Sequence, residues 1–229
     1  MARTGAFAYL KYGWETSFKS GATTKDKVFG RGQRITALTR NENAELIAEL
    51  GERMYKSSAF KHLEGTFSVE WILSNPWFFK GLLGSVSTSG AGPYTHTFSA
   101  TKLPQFLSVE VGFSGSMGNV VRTLDGCVFS SVALAASVGD LIRVRGDLLF
   151  ARDTVSGVVG SGIVDTFSPF TFADATLEIP SGTVVAQVQS FDLTINNNAL
   201  LIYGLGDREA VSAVWQALDL TGTISVTLK

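Results

Sequence analysis

Two glutamates stand in the settings closest to reactive ones: Glu70 in "TFSVEWIL" (66–73) and Glu110 in "FLSVEVGF" (106–113). Each lies on the polar side of an apolar pattern of period two, so the pair reads as facing a common side of a sheet. Two carboxylates across a cleft are what glycoside hydrolysis needs, but nothing else in the chain suggests a cleft. Trp14, Trp71, Trp77 and Trp215 are scattered rather than arrayed as a sugar-stacking platform. His62 in "FKHLEG", His96 in "PYTHTF" and the lone Cys127 do not have the spacing of a zinc site. "GRG" (30–32) and "GSG" (160–162) are bare glycine pairs, more often turns than phosphate cradles. No nucleophile elbow, Walker loop or dinucleotide fingerprint is present. The residues offer no catalytic set, no metal centre and no cofactor site, so the chain does not read as an enzyme.

The elements that hold these residues are mainly strands. "TFSVEWIL" sets Phe67, Val69 and Trp71 against Ser68 and Glu70, and "FLSVEVGF" sets Val109 and Val111 against Ser108 and Glu110. "CVFSSVALAAS" and "LIRVRGDLLF" flank "VGD" (138–140), which predicts a hairpin over 127–150. "TLEIP", "QVQSFDLTIN" and "TGTISVTLK" are further strands. A short helix is predicted at 76–83, with Asn75 as cap, Pro76 in the first turn and Gly84 as the stop. A second is predicted at 43–50, where Ala44–Ile47 and Leu46–Leu50 share a face, with a single turn at its copy 198–205. Residues 10–30, 85–104 and 151–168 read as long irregular segments, of the kind that is functional or orders on binding.

The totals agree with a structural or binding role. The 229 residues carry a formal net charge of −1, and only 17% are charged. The usual share is about a quarter, so much surface is hidden in a core or against other subunits. Without a basic excess the chain as a whole is no electrostatic binder of nucleic acid. One cysteine allows no internal disulfide and fits a reducing compartment. "MARTGAFAYLKYGWE" lacks the apolar core of a secretory signal, and "WFFKGLLG", the longest apolar cluster, is cut by Lys80. The expectation is a soluble protein that is not exported by the general secretory route.

One pattern stands above the rest. "NENAELIAELGER" (41–53) recurs as "NNNALLIYGLGDR" (196–208), with eight identities in thirteen positions. Upstream, "ALTRN" lies over "DLTIN". Downstream, with two extra residues allowed in the second copy, "GTFSVE" (65–70) lies over "GTISVT" (222–227). The duplicated unit, about 34–73 and 189–229, reads as strand, Asn corner, short turn and strand. Its structural residues are Asn43, Gly51 and Arg53 in the first copy and Asn198, Gly206 and Arg208 in the second.

The segment from "VFGRGQRITALTRNENAELIAEL" through "GTFSVEWILSNPWFF" resembles the first half of the tail tube proteins of tailed viruses of bacteria and archaea. "SPFTFADATLEIPSGTVVAQVQSFDLTINNNALLIYGLGDRE" is similar to their second half, and "YGWETSFKSG" to their N-terminal arm. Ala48-Glu49 departs from Tyr203-Gly204, the more family-like form.

The resemblance implies a single β-sandwich or barrel domain over 1–229 with one short flanking helix. Residues 1–30 would be an arm, 85–104 an inter-subunit loop and 151–168 a second long loop. It implies hexameric rings stacked into a hollow tube that conducts viral DNA to the host. The partners it implies are copies of itself, tape measure, terminator and baseplate proteins, and a sheath where the tail has one. DNA would pass without specific binding and no membrane would be entered. The place would be the virion tail, assembled in the host cytoplasm. The alternatives are a tail terminator or baseplate hub ring, or a carbohydrate- or surface-binding sandwich. A conduit must not grip a polymer carrying one charge per about 1.7 Å, so a polar, mildly acidic wall is expected. Ser68, Glu70, Ser108, Glu110, Ser225 and Thr227 are the candidates for it. Arg143 and Arg145, which share one face, would need carboxylate partners such as Asp147.

Overall fold

The computed structural model describes residues 8–48, 50, 53–55, 57–92, 94–114, 118–158, 160–175, 178–179, 183–184 and 188–226. Its first strands are β1 (Ala8–Trp14), β2 (Arg31–Asn41), β3 (Ala44–Ile47), β4 (Ser57–Phe60) and β5 (Glu64–Ile72). Helix α1 (Phe78–Leu83) follows, then β6 (Gly84–Ser89), β7 (Thr95–Ala100), β8 (Leu107–Phe113), β9 (Val120–Ser137), β10 (Arg143–Phe150) and β11 (Arg152–Ser156). The rest are β12 (Glu178–Ile179), β13 (Thr183–Val184), β14 (Val188–Asn196), β15 (Leu200–Tyr203), β16 (Ala210–Val214) and β17 (Asp219–Val226).

The 18-residue β9 organises the molecule. Its first part pairs with β8 and β11, and its second part with β10 and β14. The chain turns between the two parts at Gly126, whose φ is +65°. A Cβ there would also press within 3.0 Å of Ala151 and the Phe18 ring, so the corner requires glycine. One curled sheet thereby supplies two layers. The smaller is β1-β8-β9-β11 and the larger is β2-β5-β10-β9-β14-β17, antiparallel throughout.

The core lies between the layers. Phe67, Val69 and Trp71 come from the large one and Leu107, Val109 and Val111 from the small one, each at most 2% exposed. Tyr12, Phe29, Trp71 and Phe78 run through it as a chain of ring contacts with centroids 4.6–5.3 Å apart. The alternation in "TFSVEWIL" and "FLSVEVGF" is therefore the alternation of two sandwich faces.

Helix α1 forms within the predicted 76–83. Gly84 stops it at φ +105°, and Phe78 and Leu82 are fully buried. Asn75 stands in the predicted capping place, its side-chain oxygen accepting the Trp77 N–H at 3.4 Å, while its amide donates to Asp165 at 2.6 Å.

Three sequence readings need correction. The stretch 43–50 is not a helix: Ala44–Ile47 is strand β3, paired with β4. Its copy contains no helical turn either, because Leu200–Tyr203 is strand β15, paired with β16. The cause is the corner. Asn43 and Asn198 stand at φ +44° and +47°, and their amide N–H groups donate to Asn41 and Asn196 side chains at 3.0 and 2.9 Å. A left-handed residue tied in this way sends the chain out as an extended arm. Finally, the segments read as irregular contain strands. β1 fills the start of 10–30, β6 and β7 form a hairpin across 85–104, and β11 opens 151–168.

The repeat is more regular than the sequence alignment implied. In the first copy Asn41 pairs with Glu64, Glu45 with Ala59 and Leu46 with Ser58. In the second, Asn196 pairs with Asp219, Leu200 with Val214 and Leu201 with Ala213. Every partner is displaced by the same 155 positions. No two-residue insertion exists, and the strand after the hairpin aligns Glu64 with Asp219. The duplicated unit is a long strand, an Asn corner, a projecting hairpin and a return strand.

Candidate functional site

The larger layer turns Phe67, Val69, Trp71, Val132, Leu134, Val144 and Leu148 toward the core. Its opposite side is polar, and the ladder register sets that side in rows. One row runs Thr221, Thr194, Ala133, Arg145, Glu70 and Arg34 across β17, β14, β9, β10, β5 and β2. The next runs Asp219, Asn196, Ser131, Asp147, Ser68 and Ala37. At the other end, Ser225, Ser190 and Ser137 line up. Small hydroxyls and alanines dominate. The charges on this side are Arg34, Arg143 and Arg145 against Glu64, Glu70, Asp147, Asp192 and Asp219, a slight acidic excess.

Arg145 approaches Asp147 at 3.5 Å, and Asp147 also accepts a hydrogen bond from Ser131 at 3.2 Å. Arg34, Arg143 and Arg145 edge a shallow depression of about 350 Å³ floored by Trp71, Ala133 and Val144.

Ser68, Glu70 and Ser225 thus share one side of one sheet. The other candidates do not join them. Glu110 lies on β8, on the outside of the smaller layer, with the whole core between it and Glu70. It is held there by Lys11 at 3.1 Å and by the Tyr9 hydroxyl at 2.6 Å. Partial burial pushes its carboxyl up, but those donors, with Lys25, outweigh it and hold the group below the usual glutamate range. The paired-carboxylate reading fails on this geometry. Ser108 is fully enclosed, its hydroxyl donating to Asp125 at 2.5 Å, and it offers no surface to a channel. Thr227 and Gly51 lie outside the described residues. The rows on β9, β14 and β2 escaped the sequence reading, although Asp192, Thr194 and Asn196 alternate within "SFDLTIN".

The corner residues have distinct settings. Asn198 donates to the Ala217 carbonyl and to Asp219, both at 2.8 Å, and Asn43 donates to the His62 carbonyl at 3.2 Å. Gly206 is at φ +86°. Arg208 reaches Glu42 at 3.4 Å and stacks over Phe60 at 4.8 Å. Arg53, its counterpart, is exposed on the first hairpin. Among the described residues no cluster of His, Cys, Asp or Glu could hold a metal. Cys127 is buried in the core, its thiol pushed up by that burial.

The polar side ends on two unpaired strand edges, β2 and β17, among the described residues. Beside β2 runs a groove of about 730 Å³ lined by Tyr9, Gln33, Arg34, Phe113 and Asp165. β17 is exposed along its length, with Leu220, Ile224 and Val226 uncovered at 61%, 50% and 46%.

Comparison with known proteins adds three findings. No curated protein matches the chain. Among solved structures it is similar to a chain of the anti-feeding prophage baseplate, determined by six-fold-symmetrised cryo-electron microscopy. The identity is 12% and the TM-score 0.46, over 69% of this chain and 97% of that one. The family described as phage tail tube protein matches residues 5–229. With nearly every residue included, the chain belongs to the phage tail tube protein family, a structural and not an enzymatic component of the virion tail.

Proposed function

We propose that six copies of this chain close edge to edge into a ring and that rings stack into the hollow tube through which viral DNA leaves the virion. The observation that carries this reading is the larger layer. It has six strands, its edge strands run in opposite directions, and its polar side is continuous from one edge to the other. Long unpaired edges are a liability that proteins cover or close. With an even number of antiparallel strands, β2 of one copy can meet β17 of the next and keep the alternation around a closed barrel. The side carrying Ser68, Glu70 and Ser225 then lines the bore, and the apolar side faces the sandwich interior.

Such a wall suits transport. Neutral hydroxyls give phosphates no fixed cation to pair with, a slight acidic excess repels them toward the axis, and Arg145 has the Asp147 carboxylate at 3.5 Å. The segments 10–30 and 85–104 would meet neighbouring copies, while tape measure, terminator and baseplate proteins would meet the ends. Assembly would take place in the host cytoplasm.

Negative-stain and cryo-electron microscopy of the purified protein test this. Long six-fold tubes with Glu70 on the bore are expected. Single rings that never stack would assign the chain to a terminator or hub role. A tube with Glu70 on its outer surface would overturn the wall assignment.

A further inference from the structure

The two hairpins of the repeat have unequal surroundings, and the difference marks an interaction surface. The second hairpin, β15–β16, is seated within its own chain. Its Ala199, Leu201, Ala213 and Trp215 pack with Val128, Leu149, Phe18 and Phe106. Its far end docks on the base of the first hairpin. The Tyr203 hydroxyl donates to the Leu63 carbonyl at 2.7 Å, and the Leu63 N–H donates to the Arg208 carbonyl at 2.8 Å. Tyr203 packs on His62 at 4.7 Å, and Arg208 covers Phe60.

The first hairpin, β3–β4, has the same construction and, among the described residues, no such seat. The counterparts of Ala199, Leu201, Ala213 and Trp215 are Ala44, Leu46, Ser58 and Phe60. All four are exposed, Leu46 at 57% and Phe60 at 51%, and every other residue of the two strands is exposed as well. The counterpart of Leu63 is Leu218. Leu63 is 5% exposed, whereas Leu218 is 39% exposed, and neither its N–H nor its carbonyl has a hydrogen-bond partner among the described residues. Two orphaned surfaces therefore exist: the apolar face of β3–β4, and the uncovered underside of β17 beginning at Leu218 and Leu220.

We infer that the first hairpin seats on a second copy of this chain, its Leu46 and Phe60 against the Leu218 and Leu220 of that copy. This rests on the edge-to-edge ring proposed above, and the geometry of that joint leads to it. An antiparallel meeting of β2 with the neighbour's β17 brings Asn41, where the hairpin leaves, beside Asp219, where β17 begins. The within-chain docking of the second hairpin on Leu63 shows that one hairpin of the repeat can seat on the base of the other. Burying apolar groups of both copies also accounts for the exposure that neither can relieve alone.

The test uses cysteine pairs, since Cys127 is buried and silent. Copies carrying only Leu46→Cys are co-assembled with copies carrying only Leu220→Cys and treated with a short bismaleimide. Dimers are expected in the mixture, at least tenfold above either variant alone. A Leu46→Cys and Val155→Cys mixture serves as control, Val155 being exposed on β11 in the other layer. Normal tubes without the 46–220 dimer, or with equal linkage to 155, overturn the inference and leave the tube reading intact. In parallel, Phe60→Asp should lower tube yield at least tenfold while circular dichroism shows an unchanged fold. Undiminished tubes from Phe60→Asp also overturn it. Folded monomers from the unsubstituted chain, with no rings or tubes, overturn both readings.

Discussion

Glu15 carries a carboxyl group whose titration the fold shifts toward neutral pH. It is 3% exposed, and its carboxylate accepts the N–H groups of Lys19 at 2.9 Å and of Gly126, the corner of β9, at 3.0 Å. Burial pushes its carboxyl up from 4.5 to about 7 despite those donors, with the Asp125 charge adding to the rise. The folded form therefore holds a proton that the unfolded chain has released between those values. The associated stability is fully present below about pH 4.5 and is lost as pH rises through about 7. Scanning calorimetry from pH 5 to 8 should show the wild-type midpoint falling relative to that of Glu15→Gln. A constant difference between the two would refute the assignment. At Gly65 the limit is space. The Phe150 ring lies 2.3 Å from where a Cβ would be, so Gly65→Ala should destabilise by about 1–3 kcal/mol of overpacking, read by urea denaturation. Gly84, Gly206, Asn43 and Asn198 were legible in the sequence because their backbone demands are local, whereas Gly65 and the Gly126 corner were not. Nor was the fate of Ser108. Period two says that a residue faces away from the core, but not that Asp125 waits to enclose it.

Helix α1 was legible because its stop signal and its i, i+4 apolar pairs agree. Phe78→Ala should cost about 3–5 kcal/mol, as for other fully buried rings; a loss under about 1 kcal/mol in a urea titration would mean that the ring is not part of the core. The hairpins were misread because four-residue strands at a corner have no periodicity of their own. Leu46 and Leu50 satisfy helical spacing by accident, and what decides the matter is pairing with Ser57–Phe60, set by the left-handed Asn43. The β6–β7 hairpin projects beyond α1, where Phe98 packs near Trp77 and Phe79 while the Ser/Thr-rich outer part is exposed. Replacing 88–96 by a two-residue turn keeps the Val86–Phe98 pair. The shortened protein should melt within a few degrees of the wild type yet form no tubes. Normal tubes would show that this hairpin joins no copies.

For the whole molecule, the mainly-β character could be read from alternation and the layering came from the family resemblance, whereas the gathering of the polar side could be read from neither. Ser68 and Ser225 lie in strands that the register aligns only through β10, β9 and β14. The charge balance of that side has its own test. Glu70→Gln with Asp192→Asn removes two of the five carboxylates and leaves all three arginines. Tubes of this double variant should retain duplex DNA at low salt and release it as ionic strength rises, while wild-type tubes retain none. Equal retention by both would mean that the wall charges do not govern passage.

The bend of β9 has a further consequence, in the order of opening rather than in shape. One backbone runs from the smaller layer into the larger and carries hydrogen bonds to four other strands, so neither layer can peel away without dragging the other. The amides of Cys127–Val132 should accordingly exchange with deuterium only when the entire chain unfolds. Those of β3, β4 and β17, at the free margins, should exchange through local fraying in the isolated subunit and become slow once neighbours hold them. A tail built from such subunits would carry its rigidity in the middle of each one and acquire the remainder only on assembly.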